Sequence, residues 1–134
     1  MKIYKKRLIT SILAAILVFC TATFFPCAAS SDDFLEIGTQ KSTSMTVSGK
    51  NYWGDISKGT KSGTIRAGYE NAAGLTVTIR LYYNTGTRVT STTTSSNNHG
   101  TSITYSPTVS GTVLTVYGNH ILSYNGAYRL YTRA

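Results

Sequence analysis

Apolar and polar residues alternate along much of the chain after residue 42, and this period of two predicts β-strands. In the clearest stretch, GLTVTIRLYY, every second residue from Leu75 to Tyr83 is apolar, and most residues between them are polar. The stretch TIRAGYE shows the same alternation from Ile65 to Tyr69. The intervening ENAAG predicts a turn, and the NTG at 84–86 predicts a three-residue hairpin loop.

The following residues predict further strands of different character. TRVTSTTTSS is nearly all Thr and Ser and indicates an exposed edge strand, whereas NNHG at 97–100 predicts a loop that contains His99. TSITYSP predicts a short strand that ends at Pro107. SGTVLTVYGNHIL is apolar on both faces and therefore predicts a central strand.

Two segments precede these strands. STSMTVSG predicts a strand with Met45 and Val47 facing inward, and KNYWGDISKG, rich in Gly and aromatic residues, predicts a connecting loop. No window after residue 29 predicts a helix. Six to eight short strands with turn signals between them predict an all-β, small single-domain antiparallel β-sandwich, with a barrel as the second choice.

The C-terminal tail, VYGNHILSYNGAYRLYTRA, predicts a closing hairpin. A two-residue turn at Asn125 and Gly126 would pair His120 with Tyr131 and Ile121 with Leu130. The core side would then hold Tyr117, Ile121, Tyr128 and Leu130, and the outer side would hold His120, Tyr124, Arg129, Tyr131 and Arg133. A turn at Gly118 and Asn119 is the alternative, but it leaves less strand to pair. In the preferred pairing Gly118 becomes a bulge or a position of close approach.

The first thirty residues have the order of a secretory signal peptide. Four basic residues precede an apolar run, and small residues follow at 28–30. The run contains four Thr and Ser residues, which makes a retained membrane anchor the weaker alternative. We therefore expect a cleaved signal peptide at 1–29, an N-terminal arm at 30–42, a β domain at 43–134, and a secreted, extracellular protein.

Cleavage after Ala29 changes both the cysteine content and the charge. Cys20 and Cys27 precede the cut, so the mature chain is expected to lack thiols and disulfides. Of the 13 basic residues four are removed and all five acidic ones remain, which lowers the net charge to +4. This modest basic charge suits attraction to a cell-wall polymer, a glycan or an anionic membrane surface. The basic residues are scattered singly and the chain is exported, so nucleic acid is not an expected partner.

The sequence predicts no enzyme, metal or cofactor. Two isolated histidines show no ligand spacing, and no serine lies in a nucleophile motif. Outside the arm only Asp55 and Glu70 carry carboxylates, so a pair of catalytic acids is not evident.

The ligand-contact candidates fall into two groups. NYWGD brings Tyr52, Trp53 and Asp55 together, and a ring there could stack on a sugar while Asn51 and Asp55 bind hydroxyls; the alternative is that Trp53 plugs the core. In the tail, His120, Tyr124, Arg129 and Tyr131 form a cationic, aromatic surface or else an ordinary set of cross-strand pairs.

The leading functional hypothesis is a non-enzymatic module that binds cell-surface glycan or anionic polymer. A cationic antibacterial or membrane-active polypeptide is the first alternative. A structural or assembly protein that adds strands at its Thr-rich edge is the second. Ice binding by the Thr arrays is a weaker reading, because Thr is also a good strand former.

Overall fold

Residues 38–134 are described by a computed structural model, and they form six β-strands and no helix. The strands are β1 (Ser42–Val47), β2 (Lys50–Lys58), β3 (Gly63–Asn84), β4 (Val89–Tyr105), β5 (Thr112–Ser123) and β6 (Ala127–Arg133). All strand pairs are antiparallel, which confirms the predicted class. The predicted signal peptide and most of the predicted arm lie outside the described residues.

The six strands belong to one sheet, with the order β1-β2-β3-β5-β6 and with β4 paired to β3. Because β4 follows β3 along most of its length, the opposite edge of β3 is left to β2 in its first half and to β5 in its second. The sheet curls until its ends meet, where the backbone N–H of Arg133 donates to the carbonyl of Gln40 at 2.9 Å. We call this junction the seam. The architecture is a nearly closed barrel, the second of the two expected forms.

Two sequence predictions about β3, the longest strand, and its partner β4 are wrong. ENAAG is not a turn, because β3 runs unbroken from Gly63 to Asn84 and absorbs these residues as a register shift between Gly68 and Ala73. NNHG is not a loop, because Asn97 and Asn98 pair with β3 inside β4. In both places pairing with a long neighbouring strand outweighs the local preference of Asn and Gly for turns.

The core follows the predicted alternation of β3. Its inward side chains are fully buried from Ile65 to Tyr69 and from Ala73 to Leu81 at every second position. They meet the inward residues of the other strands, namely Val47, Tyr52, Ile56, Ile103, Val113, Val116, Leu122 and Leu130. β5 lies between β3 and β6, which confirms its predicted central place.

The segment KNYWGDISKG is a strand and not the predicted loop. It forms β2, and a two-residue turn at Ser48 and Gly49, both with positive φ (49° and 74°), joins it to β1. Val47 is buried as predicted, but Met45 is 37% exposed. The alternation of Tyr52, Gly54 and Ile56, all buried, was the missed signal for this strand, because Gly54 interrupts the apolar pattern.

The tail forms the predicted hairpin with a register one residue away from the predicted one. Ser123 pairs with Ala127, so the loop has three residues, and Asn125 and Gly126 adopt positive φ of 51° and 140°. His120 therefore lies opposite Leu130 and not Tyr131. The structure also shows a close approach at Gly118, where a Cβ atom would come within 2.6 Å of the Thr132 hydroxyl.

Candidate functional site

An open polar groove of about 510 Å³ crosses the outer surface of β1 and β2. Strand alternation turns Asn51, Trp53 and Asp55 outward, and β1 places Ser42 opposite Asp55 and Ser44 opposite Trp53. The groove is lined by Gln40, Ser42, Thr43, Ser44, Asn51, Trp53, Gly54 and Asp55. Two of the three candidates in NYWGD thus share one surface. We call it the tryptophan groove.

Trp53 is half-buried because its ring rests on the neighbouring strand and not because it plugs the core. Gly68 is its partner in the β2–β3 pairing, and a Cβ atom there would collide with the indole ring. The glycine therefore lets the ring lie close to the sheet. An indole held in this way has little side-chain entropy left to lose when a flat ligand stacks on it.

Arg66 orients the Asp55 carboxylate in the tryptophan groove. Arg66 Nε donates to Asp55 Oδ1 at 2.8 Å, and the carboxylate raises the pKa of the guanidinium through this hydrogen bond. The Asp55 side chain is 23% exposed, so it faces the groove while it is oriented by Arg66. A fixed carboxylate, an amide and several hydroxyls can hydrogen-bond the hydroxyls of a sugar.

The tail candidates Arg129 and Tyr131 lie on the outer face of β6, as predicted. They line a second groove of about 330 Å³. Gln40 and Thr43 line both this groove and the tryptophan groove. The closed sheet therefore brings Trp53, Asp55, Arg129 and Tyr131 onto neighbouring parts of one surface, although β2 and β6 are far apart in sequence.

The prediction that His120 lies on the outer face is wrong. Its side chain is fully buried inside the barrel, where Nε2 lies 2.8 Å from the Thr132 hydroxyl. The ring packs against the backbone of Gly54, since a Cβ atom there would lie 2.6 Å from Cγ. Burial lowers the pKa of His120 to about 4, against an opposing effect of Asp55. A neutral, enclosed imidazole stabilises the core and is not exposed to a surface ligand.

Tyr52 and Tyr124 also contribute to packing. Tyr52 is fully buried on the inner side of β2, where burial raises the pKa of its hydroxyl. Tyr124 lies in the β5–β6 loop and packs against the core, with its ring centroid 5.2 Å from that of Tyr69. Tyr69 in turn donates a hydrogen bond to the Val47 carbonyl at 2.8 Å.

The prediction that Tyr117 and Ile121 lie on the core side is wrong, because the observed register places both on the outer face of β5. Tyr117 and Asn119 turn outward, opposite Arg133 and Tyr131 of β6. On the other side, Tyr117 lies opposite Arg80 of β3. The correct hairpin register would have revealed this surface, because it moves Tyr117 from the core side to the outer side.

Comparison with known proteins assigns no family to this chain. No family model matches the sequence, and no curated protein matches it significantly. Within residues 38–134, no three or more His, Cys, Asp or Glu side chains are grouped so that they could hold a metal ion. Nor does this part of the chain contain a helix with the length and hydrophobicity needed to span a bilayer.

Proposed function

We propose that this chain is an exported, non-enzymatic domain that binds a neutral glycan of the cell surface in the tryptophan groove. The observation that carries the proposal is the half-buried Trp53 ring, seated on Gly68 with Asn51 and Asp55 on the same outward face. Stacking on an aromatic ring together with hydrogen bonds from a few fixed polar groups suits a sugar, which has apolar ring faces and hydroxyl edges.

A neutral ligand is favoured over an anionic one in this groove. Asp55 is the acidic side chain among its lining residues, and none of those residues is basic. An anionic sugar placed here would meet the Asp55 carboxylate and no basic lining residue, and like charges repel. Secretion, inferred from the order of residues in 1–29, would bring the groove to glycans outside the cell.

Trp53 supplies a direct test because it is the one tryptophan of the sequence. The mature protein is titrated with soluble oligomers of glucose, mannose and N-acetylglucosamine, and indole emission is followed. We expect a saturable change with at least one sugar, a loss of binding of tenfold or more by calorimetry in Trp53→Ala, and partial recovery in Trp53→Phe.

Val89→Ala is a control, since it shortens an apolar side chain that is 58% exposed at the start of β4. It should bind like the unchanged protein. If calorimetry shows no binding of any of the three sugars, or if Trp53→Ala binds as tightly as the unchanged protein, the groove is not a glycan site.

One observation favours self-assembly as a second candidate function. β4 has 17 residues, and among the described strands it pairs with β3 alone. It contains no Lys, Arg, Asp, Glu or Pro. Natural edge strands usually carry such residues, which block pairing with another chain. An edge that lacks them is suited to adding a strand from a second copy.

Gel filtration over a hundredfold concentration range tests this second candidate. We expect a shift to larger species at high concentration, and we expect Ser91→Lys with Ser95→Lys, two exposed positions of β4, to remove it. A control with the same added charge is Ser57→Lys with Ser106→Lys, at exposed positions outside β4. A monomer at every concentration would rule out assembly through β4.

A further inference from the structure

We propose that the outer face of the second half of β3, β5 and β6 binds an anionic polysaccharide that carries carboxylate groups. This arginine–tyrosine face consists of Arg80, Tyr117, Asn119, Arg129, Tyr131 and Arg133. It shares no residue with the tryptophan groove, and the proposal does not depend on neutral glycan binding there.

Charge is the first argument for an anionic ligand. Three of the nine basic residues in 38–134 lie on this face. The acidic side chains in the same range are Asp55 and Glu70, and both lie elsewhere: Asp55 pairs with Arg66 at 2.8 Å and Glu70 with Lys50 at 3.6 Å. Among residues 38–134 this face therefore carries three guanidinium groups and no carboxylate side chain. A guanidinium group can bind a carboxylate through two parallel hydrogen bonds.

The spacing of the arginines favours a polymer over a small anion. Arg80 and Arg133 both lie opposite Tyr117, on the two strands that flank β5. Neighbouring strands are about 4.8 Å apart, which places these two backbones about 10 Å from each other. Arg129 is four residues from Arg133 on the same strand, or about 13 Å away at the usual rise per residue. Positive charges repeated at such intervals match the spaced carboxylates of a polymer better than they match a single small anion.

The rings between the arginines are held in place. The Arg133 guanidinium carbon lies 5.1 Å from the centroid of Tyr117, and Tyr82 meets Tyr117 edge to face at 5.8 Å. On the other side, Arg80 Nε donates to the Thr93 hydroxyl at 2.9 Å. These contacts orient the cationic and aromatic groups before a ligand arrives, which reduces the entropy cost of binding.

Asn119 is the second, independent argument. It pairs with Thr78 and Tyr131 on the outward side of β5, yet its side chain is fully buried. Neither its amide nitrogen nor its amide oxygen has a hydrogen-bond partner within the described structure. A buried amide of this kind is costly. A sugar hydroxyl that reaches between the flanking side chains would satisfy it as donor and acceptor.

A polysaccharide fits this face better than a membrane does. The large apolar side chains that are exposed among residues 38–134 are Met45, Val89 and Leu114, on β1 and near the starts of β4 and β5. The arginine–tyrosine face therefore offers cations and hydroxyl-bearing rings where an interfacial membrane binder would offer apolar anchors.

Calorimetric titration of the mature protein with polygalacturonate tests the proposal. We expect Arg80→Gln and Arg133→Gln each to weaken binding about tenfold through loss of a charge-assisted hydrogen bond. Arg88→Gln removes the same charge from an exposed loop position and should change affinity less than twofold. If a Gln variant fails to fold, the Lys variant at that position is measured instead. It keeps the charge but loses the paired N–H donors of the guanidinium group, and it should weaken binding severalfold.

Asn119→Leu separates a ligand contact from a structural role. We expect this variant to keep or raise the melting temperature, because it replaces an unsatisfied buried amide with an apolar group of similar size, and to bind polygalacturonate about tenfold more weakly. Trp53→Ala should bind it normally, which separates this proposal from the one for the groove.

Four results would each overturn the proposal. They are no binding of polygalacturonate, an equal loss in Arg88→Gln and Arg133→Gln, equal binding of neutral amylose, and tighter binding of vesicles with anionic lipid or of single-stranded DNA. The last result would indicate that the face binds a membrane or a nucleic acid.

Discussion

The barrel encloses polar side chains whose surroundings leave little space around them. His120 is the clearest case, since its ring contacts the Thr132 hydroxyl on one side and the Gly54 backbone on another. The hydrogen bond offsets part of the cost of burying the imidazole. The side chain is accommodated only because residue 54 has no Cβ atom.

We therefore expect Gly54→Ala to lower the free energy of unfolding by about 1–3 kcal/mol, since a Cβ atom 2.6 Å from Cγ of a buried ring forces the core to shift. Urea denaturation measures this change. Gly100→Ala is the control, because residue 100 also lies in a strand and its Cβ would meet nothing closer than 3.4 Å. Equal losses in the two variants would contradict the crowding of His120.

The same residue predicts a pH dependence of stability. The pKa of His120 is about 4 in the folded protein, against about 6.5 in an unfolded chain. Between these values the unfolded chain binds a proton that the folded protein does not, so the free energy of unfolding falls as pH is lowered from about 6.5 to about 4. The full loss is about 3 kcal/mol.

Denaturation curves from pH 4 to pH 7 test this dependence. His120→Gln should flatten the slope in this window and, because the site is buried, should also lower stability at pH 7. His99→Gln changes the other histidine, which is exposed, and should keep the slope of the unchanged protein. A slope that persists in His120→Gln would assign the effect to carboxylates.

Among the elements, the β5–β6 hairpin shows how one residue of loop length decides which side chains face the core. With three residues in the loop, Leu130 points inward and is 7% exposed, whereas Ile121 lies opposite Arg129 on the outer face. Leu130→Ala should therefore cost about 2–4 kcal/mol, and Ile121→Ala clearly less. Thermal or urea unfolding of the two variants decides between registers, because a two-residue loop would bury both side chains and make the two losses similar.

The hairpin also shows how far sequence reasoning reaches in this protein. Alternation identified the inward residues of β3, because burial of one face leaves a period of two. Apolar residues on both faces indicated the central place of β5. It could not choose between loops of two and three residues at Asn125 and Gly126, which suit both. It also treated NYWGD as a loop, since Gly54 breaks the apolar pattern for a reason, the ring of His120, that lies 66 residues away in the chain. The tryptophan groove was therefore anticipated as a set of residues and not as a strand surface.

At the scale of the whole molecule, the seam joins parts that the sequence separates widely. Gln40 accepts the backbone hydrogen bond from Arg133, and Gln40 and Thr43 line both grooves. A nearly closed sheet places the two grooves side by side, with Thr43 of β1 in the lining of both. The geometry of each groove then depends on the seam staying closed.

Gly38 lines the second groove, and its substitution would open the seam without removing a side chain that is proposed to bind a ligand. It is buried against Thr132, and a Cβ atom there would collide with the Thr132 backbone, which cannot move aside as a flexible side chain would. We expect Gly38→Ala to lower the melting temperature by several degrees. We also expect it to weaken binding of both the neutral oligosaccharide and polygalacturonate. Gln40 lines the tryptophan groove and Arg133 belongs to the arginine–tyrosine face, so loss of the hydrogen bond between them would displace a residue of each site.

This pattern differs from that of any single-site variant. Trp53→Ala should affect only the neutral sugar and Arg133→Gln only polygalacturonate, whereas Gly38→Ala should affect both, as measured by calorimetry below its melting temperature. Gly49→Ala is the stability control, because its strained φ of 74° also disfavours alanine but its surroundings are empty and far along the chain from Arg133. If Gly49→Ala weakens both ligands as much as Gly38→Ala does, the coupling reflects general destabilisation; if Gly38→Ala binds both normally, closure of the sheet does not shape the grooves.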